Sequence, residues 1–166
     1  MRSRLDDLIL EAKKLAKADN CKMAITLANQ LVKENPNEMK VWSLRGYLHA
    51  RMGKYSLAAE DITQAIAINA MEPCLFHSRG RYRLISGDGQ GALDDFSRGL
   101  ELCAHHGDDY YREDLHFWRA EVLIRLDRKK AAIVDLEQVS EDYTMWTTEL
   151  RTKAALLALC RSSDRG

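Results

Sequence analysis

The segment Val41 to Ile68, VWSLRGYLHARMGKYSLAAEDITQAIAI, superposes without a gap on Leu75 to Leu102, LFHSRGRYRLISGDGQGALDDFSRGLEL, at an offset of 34 residues. Trp42 matches Phe76, Arg45-Gly46 matches Arg79-Gly80, Gly53 matches Gly87, Ala58 matches Ala92, Ile62 matches Phe96 and Ile66 matches Leu100. A repeat of this length is one supersecondary unit that cannot bury its apolar face alone, so the chain has to stack like units. Inside the unit, apolar residues recur at i, i+3, i+4 and i+7, and almost no stretch alternates apolar and polar residues. A bulky residue followed four positions on by glycine lets one helix lie close to its partner. The second glycine ends that helix, and a small alanine marks where the returning helix crosses. The fold class expected is all-α, built from helix-turn-helix pairs.

The same frame extends in both directions. Shifted back, it gives a degenerate copy over 5–38, with Leu8, Ala12, Leu15, Ala24, Leu27, Leu31 and Pro36 in place and Asp19-Asn20 where the turn glycine stood. The better copies occupy 39–72 and 73–106. Shifted forward, the frame fails unless six residues are inserted after His106; 113–146 then fits, with Ala120, Leu123, Asp127, Ala132 and Leu136 in register. Continuing in phase, a capping helix is expected over 147–161, with Leu150, Ala154 and Leu157 inward and Arg151, Lys153 and Arg161 outward. The whole of 1–166 reads as one domain.

Length, the ordered set of a large residue, Gly or Ala, the crossing Ala and the later packing residue make this sequence resemble the tetratricopeptide repeat (TPR) family. The resemblance implies a right-handed superhelical solenoid in which the first helix of each pair lines a concave face. It also implies, by helical phase, a partner-binding groove of Lys13 and Lys17, then Lys40, Ser43, Tyr47 and Arg51, then His77 and Arg81, then Phe117, Glu121 and Arg125. With Asp6 and Asp114 at the same phase, the groove holds six Lys or Arg and three acids. The second helices carry Glu60-Asp61, Asp94-Asp95, Asp135 and Glu137, so an acidic back is expected behind a basic groove. Arg45, Arg79 and Arg119, each just before the small residue, read as ion-pairing groups inside the stack. The family's carboxylate clamp for chaperone C-terminal tails needs Lys, Asn and Arg at positions that here hold Ile9, Lys13, Leu44, Cys74 and Ser78, which disfavours such tails.

Several chemistries find no support. Lys plus Arg equals Asp plus Glu at 25 each, so there is no global charge argument for nucleic acid or an anionic membrane. The N-terminus, MRSRLDDLILEAKK, lacks the apolar run of a signal peptide, and a cytoplasmic location is expected. The four cysteines are dispersed, as for buried free thiols. GDGQGAL at Gly87 to Leu93 resembles a phosphate loop, but it lies at a helix-helix turn with no preceding strand. No nucleophile-base spacing and no metal motif is present, so neither an enzyme nor a cofactor nor a bound metal is expected.

The stretch AHHGDDYYRED, Ala104 to Asp114, sits where the period breaks. Its histidines and aspartates are neighbours in a loop without a supporting shell, which disfavours a metal site. Tyr111, Leu115, Trp118, Val122 and Leu126 run at helical spacing, so the next helix is expected to start early, with Asp108 or Asp109 as its N-cap. A longer helix would project, making Tyr110, Tyr111 and Arg112 a candidate partner-contacting rim. The function expected is a non-enzymatic module that binds a protein or peptide with acidic and apolar groups, as an adaptor, a dedicated chaperone or a neutralising, immunity-type partner. The alternative is an RNA-binding helical-repeat protein using Tyr47, Phe117 and Trp118 as stacking platforms; the zero net charge disfavours it.

Overall fold

A computed structural model of the chain describes residues 3–107, 110–146 and 150–162. The first pair is α1 (Arg4–Lys17) and α2 (Cys21–Glu34), the second α3 (Met39–Arg51) and α4 (Tyr55–Ile68), the third α5 (Pro73–Ile85) and α6 (Gly89–His106), and the fourth α7 (Arg112–Arg125) and α8 (Lys129–Leu136). Two short antiparallel strands, β1 (Thr144–Trp146) and β2 (Leu150–Thr152), precede a last helix, α9 (Lys153–Arg161). Each pair packs on the next, giving an all-α stack.

The sequence dictates both the turns and the spacing within each pair. The turn after each first helix places one residue at positive φ: Asp19 at 60°, Gly53 at 72°, Gly87 at 93° and Asp127 at 56°. Glycine reaches that region freely, whereas each aspartate there costs on the order of 1 kcal/mol. At Gly80 a Cβ would stand 2.6 Å from Phe96 Cε1, so α5 and α6 reach their separation only because that side chain is missing. The core runs along the stack in linked clusters. Ala12, Ala24, Ala28, Leu31, Val41, Leu44 and Leu48 join the first two pairs, and Phe96, Leu115, Trp118, Val122, Leu136 and Leu156 join the last two.

A repeated polar lattice lies inside the apolar one. Arg45 donates to Asp61 through Nε and Nη2, the closest contact being 2.6 Å; Arg79 does the same to Asp95 and Arg119 to Asp135, again at 2.6 Å. Each carboxylate is buried, at 4%, 2% and 2% exposure, and each has a further basic neighbour: His49 at 2.9 Å, Arg83 at 2.9 Å and His116 at 2.8 Å. The remaining arm of each arginine reaches back to the preceding pair, to Asn29, Thr63 and Ser97 at 3.4, 3.2 and 3.4 Å. Burial pushes the Asp135 carboxyl up, but hydrogen bonds and charge from His116 and Arg119 outweigh it and hold the group below its ordinary value. The expected acidic back is therefore corrected: Asp61, Asp95 and Asp135 are interior ion-pair partners, and only Glu60, Asp94 and Glu137 of that set face outward.

Two expectations about the ends of elements also change. The extra residues after the third pair lengthen α6, which has 18 residues against 14 in α4, and Gly107 caps it at φ 66°; α7 begins only at Arg112. The projecting element is thus the end of α6 rather than an early start of α7, because Gly107 provides a left-handed stop. Asp108 and Asp109, the expected caps, lie outside the described residues. The last helix, expected over 147–161, starts at Lys153, after β2; residues 147–149 lie outside the described residues. Thr144 and Thr152 pair in β-conformation, where β-branched residues fit well, and the Thr152 hydroxyl caps α9 by accepting from Ala155 N at 3.0 Å. The new start rotates the helix, so Leu156 and Cys160 face the core and Ala154 is exposed. Lys153 is buried instead of outward, donating to Val139 O at 2.9 Å and Glu141 at 2.6 Å.

Removing one member of the lattice strands its partners. Asp95→Ala leaves Arg79 and Arg83 without their buried carboxylate and is expected to cost about 3–5 kcal/mol of unfolding free energy. Glu60→Ala, on the exposed face, should cost under about 0.5 kcal/mol. Urea melts of the two variants compare them directly, and equal midpoints would show that the lattice does not hold the stack.

Candidate functional site

The helices that open each pair, α1, α3, α5 and α7, contribute side chains to one groove with two compartments. The compartment toward the N-terminus, about 850 Å³, is lined by Asp6, Ile9 and Lys13 of α1, Lys40, Ser43 and Leu44 of α3, Cys74 and Ser78 of α5, and Tyr111. The other, about 550 Å³, is lined by Arg51 of α3, Tyr55 of α4, Arg81 of α5, Phe117, Trp118, Glu121 and Arg125 of α7, and Arg151 of β2. Tyr47 and Tyr82 line both and stand at their junction. Both volumes fall within the range of about 300–1,000 Å³ common for ligand sites.

The groove residues expected from the repeat frame divide between these compartments. Lys13, Lys40 and Ser43 line the first, Arg51, Arg81, Phe117, Glu121 and Arg125 the second, and Tyr47 both. Lys17, in the last turn of α1, is exposed but lines neither. His77 is only 6% exposed and lies under the groove rather than on it. Of the rim residues, Tyr111 joins the groove, its ring centroid 5.5 Å from that of His77, whereas Tyr110 is 81% exposed and Arg112 is exposed outside both compartments. Phe117 and Trp118 are packed into the core at 1% and 3% exposure and leave almost no open ring surface.

The two compartments differ in charge. In the first, Lys40 pairs with Asp6 at 3.0 Å on the surface, a contact of small energetic weight. Ile9, Lys13, Leu44, Cys74 and Ser78 all line this compartment, so it lacks the asparagines of a carboxylate clamp. The second holds four arginines and one carboxylate. Glu121, 6% exposed, accepts from Arg125 Nε and Nη2 at 3.0 and 2.9 Å, and Arg151 Nη2 lies 4.0 Å away. Arg51 donates to the Tyr47 hydroxyl at 3.4 Å and has the Cys21 thiol as a further neighbour, and Arg81 lies over the Trp118 ring at 5.0 Å. Among the described residues no carboxylate lies within 4.0 Å of either. Among the described residues, Arg81 Nε and Trp118 Nε1 are buried donors without an acceptor. Burial, chiefly, raises the Tyr82 phenol, which stays a neutral donor at the junction.

Repeat phase alone missed Tyr82, Tyr55 and Arg151. Tyr82 stands one helical step from the arginine that the frame selects, where the equivalent residue in the second pair is the buried Leu48. Arg151 was hidden by reading 147–161 as a continuous helix; the strand β2 turns it toward Glu121. Among the described residues no group of three or more His, Cys, Asp and Glu could hold a metal ion, and no helix is long and apolar enough to cross a membrane. The groove offers guanidinium and phenol donors against aromatic walls, a recognition surface for anionic and apolar groups.

Burial, helped by the Arg81 charge and opposed by Asp114 at 3.7 Å, lowers His77 from 6.5 to about 4. Asp114 also accepts the Tyr143 hydroxyl, and burial together with that bond raises the Tyr143 phenol. A depressed histidine binds its proton more readily in the unfolded chain, so its contribution to stability is complete above pH 6.5 and is lost as pH falls toward 4. The His77 ring signals in an NMR titration should stay at their neutral positions down to about pH 5; a midpoint near 6.5 would contradict the buried placement.

No protein-family model matches the chain. Among curated proteins it is 32% identical over 74 residues to a lipoprotein NlpI homolog of Haemophilus influenzae, a match covering 45% of this chain and 24% of that protein. It is 33% identical over 70 residues to human tetratricopeptide repeat protein 36, covering 42% of this chain and 37% of that one. These matches thus span about a quarter and just over a third of the relatives' lengths. Among solved structures it is similar to the MamA protein, with a TM-score of 0.72, 16% identity, and 81% of this chain and 70% of that chain covered. It is also similar to the first TPR of Spaghetti (RPAP3) bound to the HSP90 peptide SRMEEVD, with a TM-score of 0.66, 19% identity, and 75% and 94% covered.

Proposed function

We propose that this tetratricopeptide-repeat solenoid is a non-enzymatic binding module that seats a segment of a protein partner in the groove lined by α1, α3, α5 and α7. The observation that carries this reading is the union, in one groove, of a partly apolar compartment and an arginine-rich aromatic one joined at Tyr47 and Tyr82. An extended segment with acidic and apolar residues matches both. Its acidic groups meet Arg51 and Arg81, neither of which has a carboxylate partner among the described residues, and its apolar groups meet Ile9, Leu44 and the tyrosines. The solved RPAP3 repeat domain, similar in fold, holds a peptide, which supports a peptide as the type of ligand. The chaperone tail itself fits poorly here, because the clamp positions hold Ile9, Leu44, Cys74 and Ser78.

Binding without chemistry leaves three roles consistent with this groove: adaptor, dedicated chaperone of one client, or neutralising partner. RNA binding is the less favoured reading, since Phe117 and Trp118 are locked in the core and Glu121 shares the arginine compartment. The test is affinity capture from the native lysate with the wild-type chain and with Tyr47→Ala/Arg51→Glu/Arg81→Glu, both verified as helical by circular dichroism. The triple variant should lose the captured protein by at least about tenfold. Retention of every partner would overturn the groove assignment. A salt titration against random single-stranded RNA should show no binding near physiological ionic strength.

A further inference from the structure

The compartment between α3, α5 and α7 contains more positive charge than its own carboxylate can balance. Four arginines and one glutamate line it, and no lysine does. Glu121 is already engaged by Arg125 and faces Arg151, so Arg51 and Arg81 are the two cations left without a carboxylate at pairing distance among the described residues. Arginine forks suit the oxygens of planar or tetrahedral anions, and their charge persists at any physiological pH. Two further facts point the same way. Arg81 Nε and Trp118 Nε1 are buried donors with no acceptor among the described residues, where buried polar groups are normally hydrogen-bonded. The compartment is lined by the half-buried rings of Tyr47, Tyr55 and Tyr82 together with the largely buried Phe117 and Trp118, a lining that suits the stem or ring bearing such an anion rather than a free hydrated ion.

We propose that this compartment is a phosphoryl subsite, taking a phosphorylated, ring-bearing side chain of the segment seated in the groove, its anionic oxygens between Arg51 and Arg81. A phosphoryl group carries a charge of about −1.5 to −2, which balances these two guanidiniums, whereas a single carboxylate would leave one uncompensated against aromatic walls. The proposal rests on the groove reading for the segment, but the subsite can be tested without any partner.

The probes are phenyl phosphate, inorganic phosphate and benzoate, titrated into the full chain while the Trp118 indole N–H is followed by NMR. Phenyl phosphate should shift that signal with a dissociation constant in the millimolar range, roughly the affinity of a small fragment. Inorganic phosphate, lacking the ring, and benzoate, lacking the second charge, should each bind at least about tenfold more weakly. Arg51→Gln, on the exposed side of the compartment, should weaken phenyl phosphate binding by about tenfold or more without altering the fold, and Arg81→Gln should do so as well. Benzoate binding as tightly as phenyl phosphate, no Trp118 shift up to ~20 mM, or a shift that survives Arg51→Gln in a folded chain would each overturn the subsite. Partner capture lost in the triple variant while phenyl phosphate fails to bind would sink the subsite alone. Phenyl phosphate binding with all partners retained would sink the groove reading and leave the subsite standing.

Discussion

The buried carboxylates of Asp61, Asp95 and Asp135 are the constraint on which the stack depends. An ionised carboxylate inside a low-dielectric core is costly unless its charge is paired and its lone pairs are filled. Each one here meets both conditions with a forked arginine and a second basic group from its own pair. The same arginine contacts a polar side chain of the preceding pair, so the geometry within a pair also sets the angle between pairs. Apolar packing drives the association of the helices; the lattice selects a single way of stacking them. The groove in front inherits that precision, since Tyr47, Arg51, Arg81, Tyr82 and Arg125 project from the helices that hold the lattice arginines behind.

The second basic group shows how the lattice tolerates sequence change. Asp61 takes His49 and Asp95 takes Arg83, residues at one repeat position. In the fourth pair that position is Leu123, and His116, one helical turn before Arg119, supplies the bond instead. The requirement is for a donor at the carboxylate, and two places on the first helix can meet it.

Much of the fold could be read from the sequence because a 34-residue period links local propensity to packing at several positions at once. The four pairs, the turn positions and the ion-pairing role of Arg45, Arg79 and Arg119 all follow from that frame. Errors appear where the frame supplies no constraint. Gly107 moved the added length onto α6, and paired threonines at β1 and β2 displaced the start of α9, both local backbone effects that periodicity does not register. In the site, helical phase found Arg51, Arg81 and Arg125 because long side chains tolerate angular error. It misplaced His77, whose short ring cannot reach past Tyr111, and it overlooked Arg151, which arrives from outside the repeats. The acidic back failed for a related reason, since composition counts a carboxylate as surface charge even when a guanidinium has drawn it inside.

The first pair lacks this lattice. Glu11 and Leu27 occupy the places where later pairs hold their arginine and aspartate, and Arg45 reaches α2 only through Asn29. The N-terminal wall of the groove, carrying Asp6, Ile9 and Lys13, is therefore attached by apolar contacts and a surface ion pair, while the opposite wall is bolted at every joint. The two jaws of the groove are therefore held by different forces, buried ion pairs on the arginine side and apolar packing with one exposed ion pair on the α1 side.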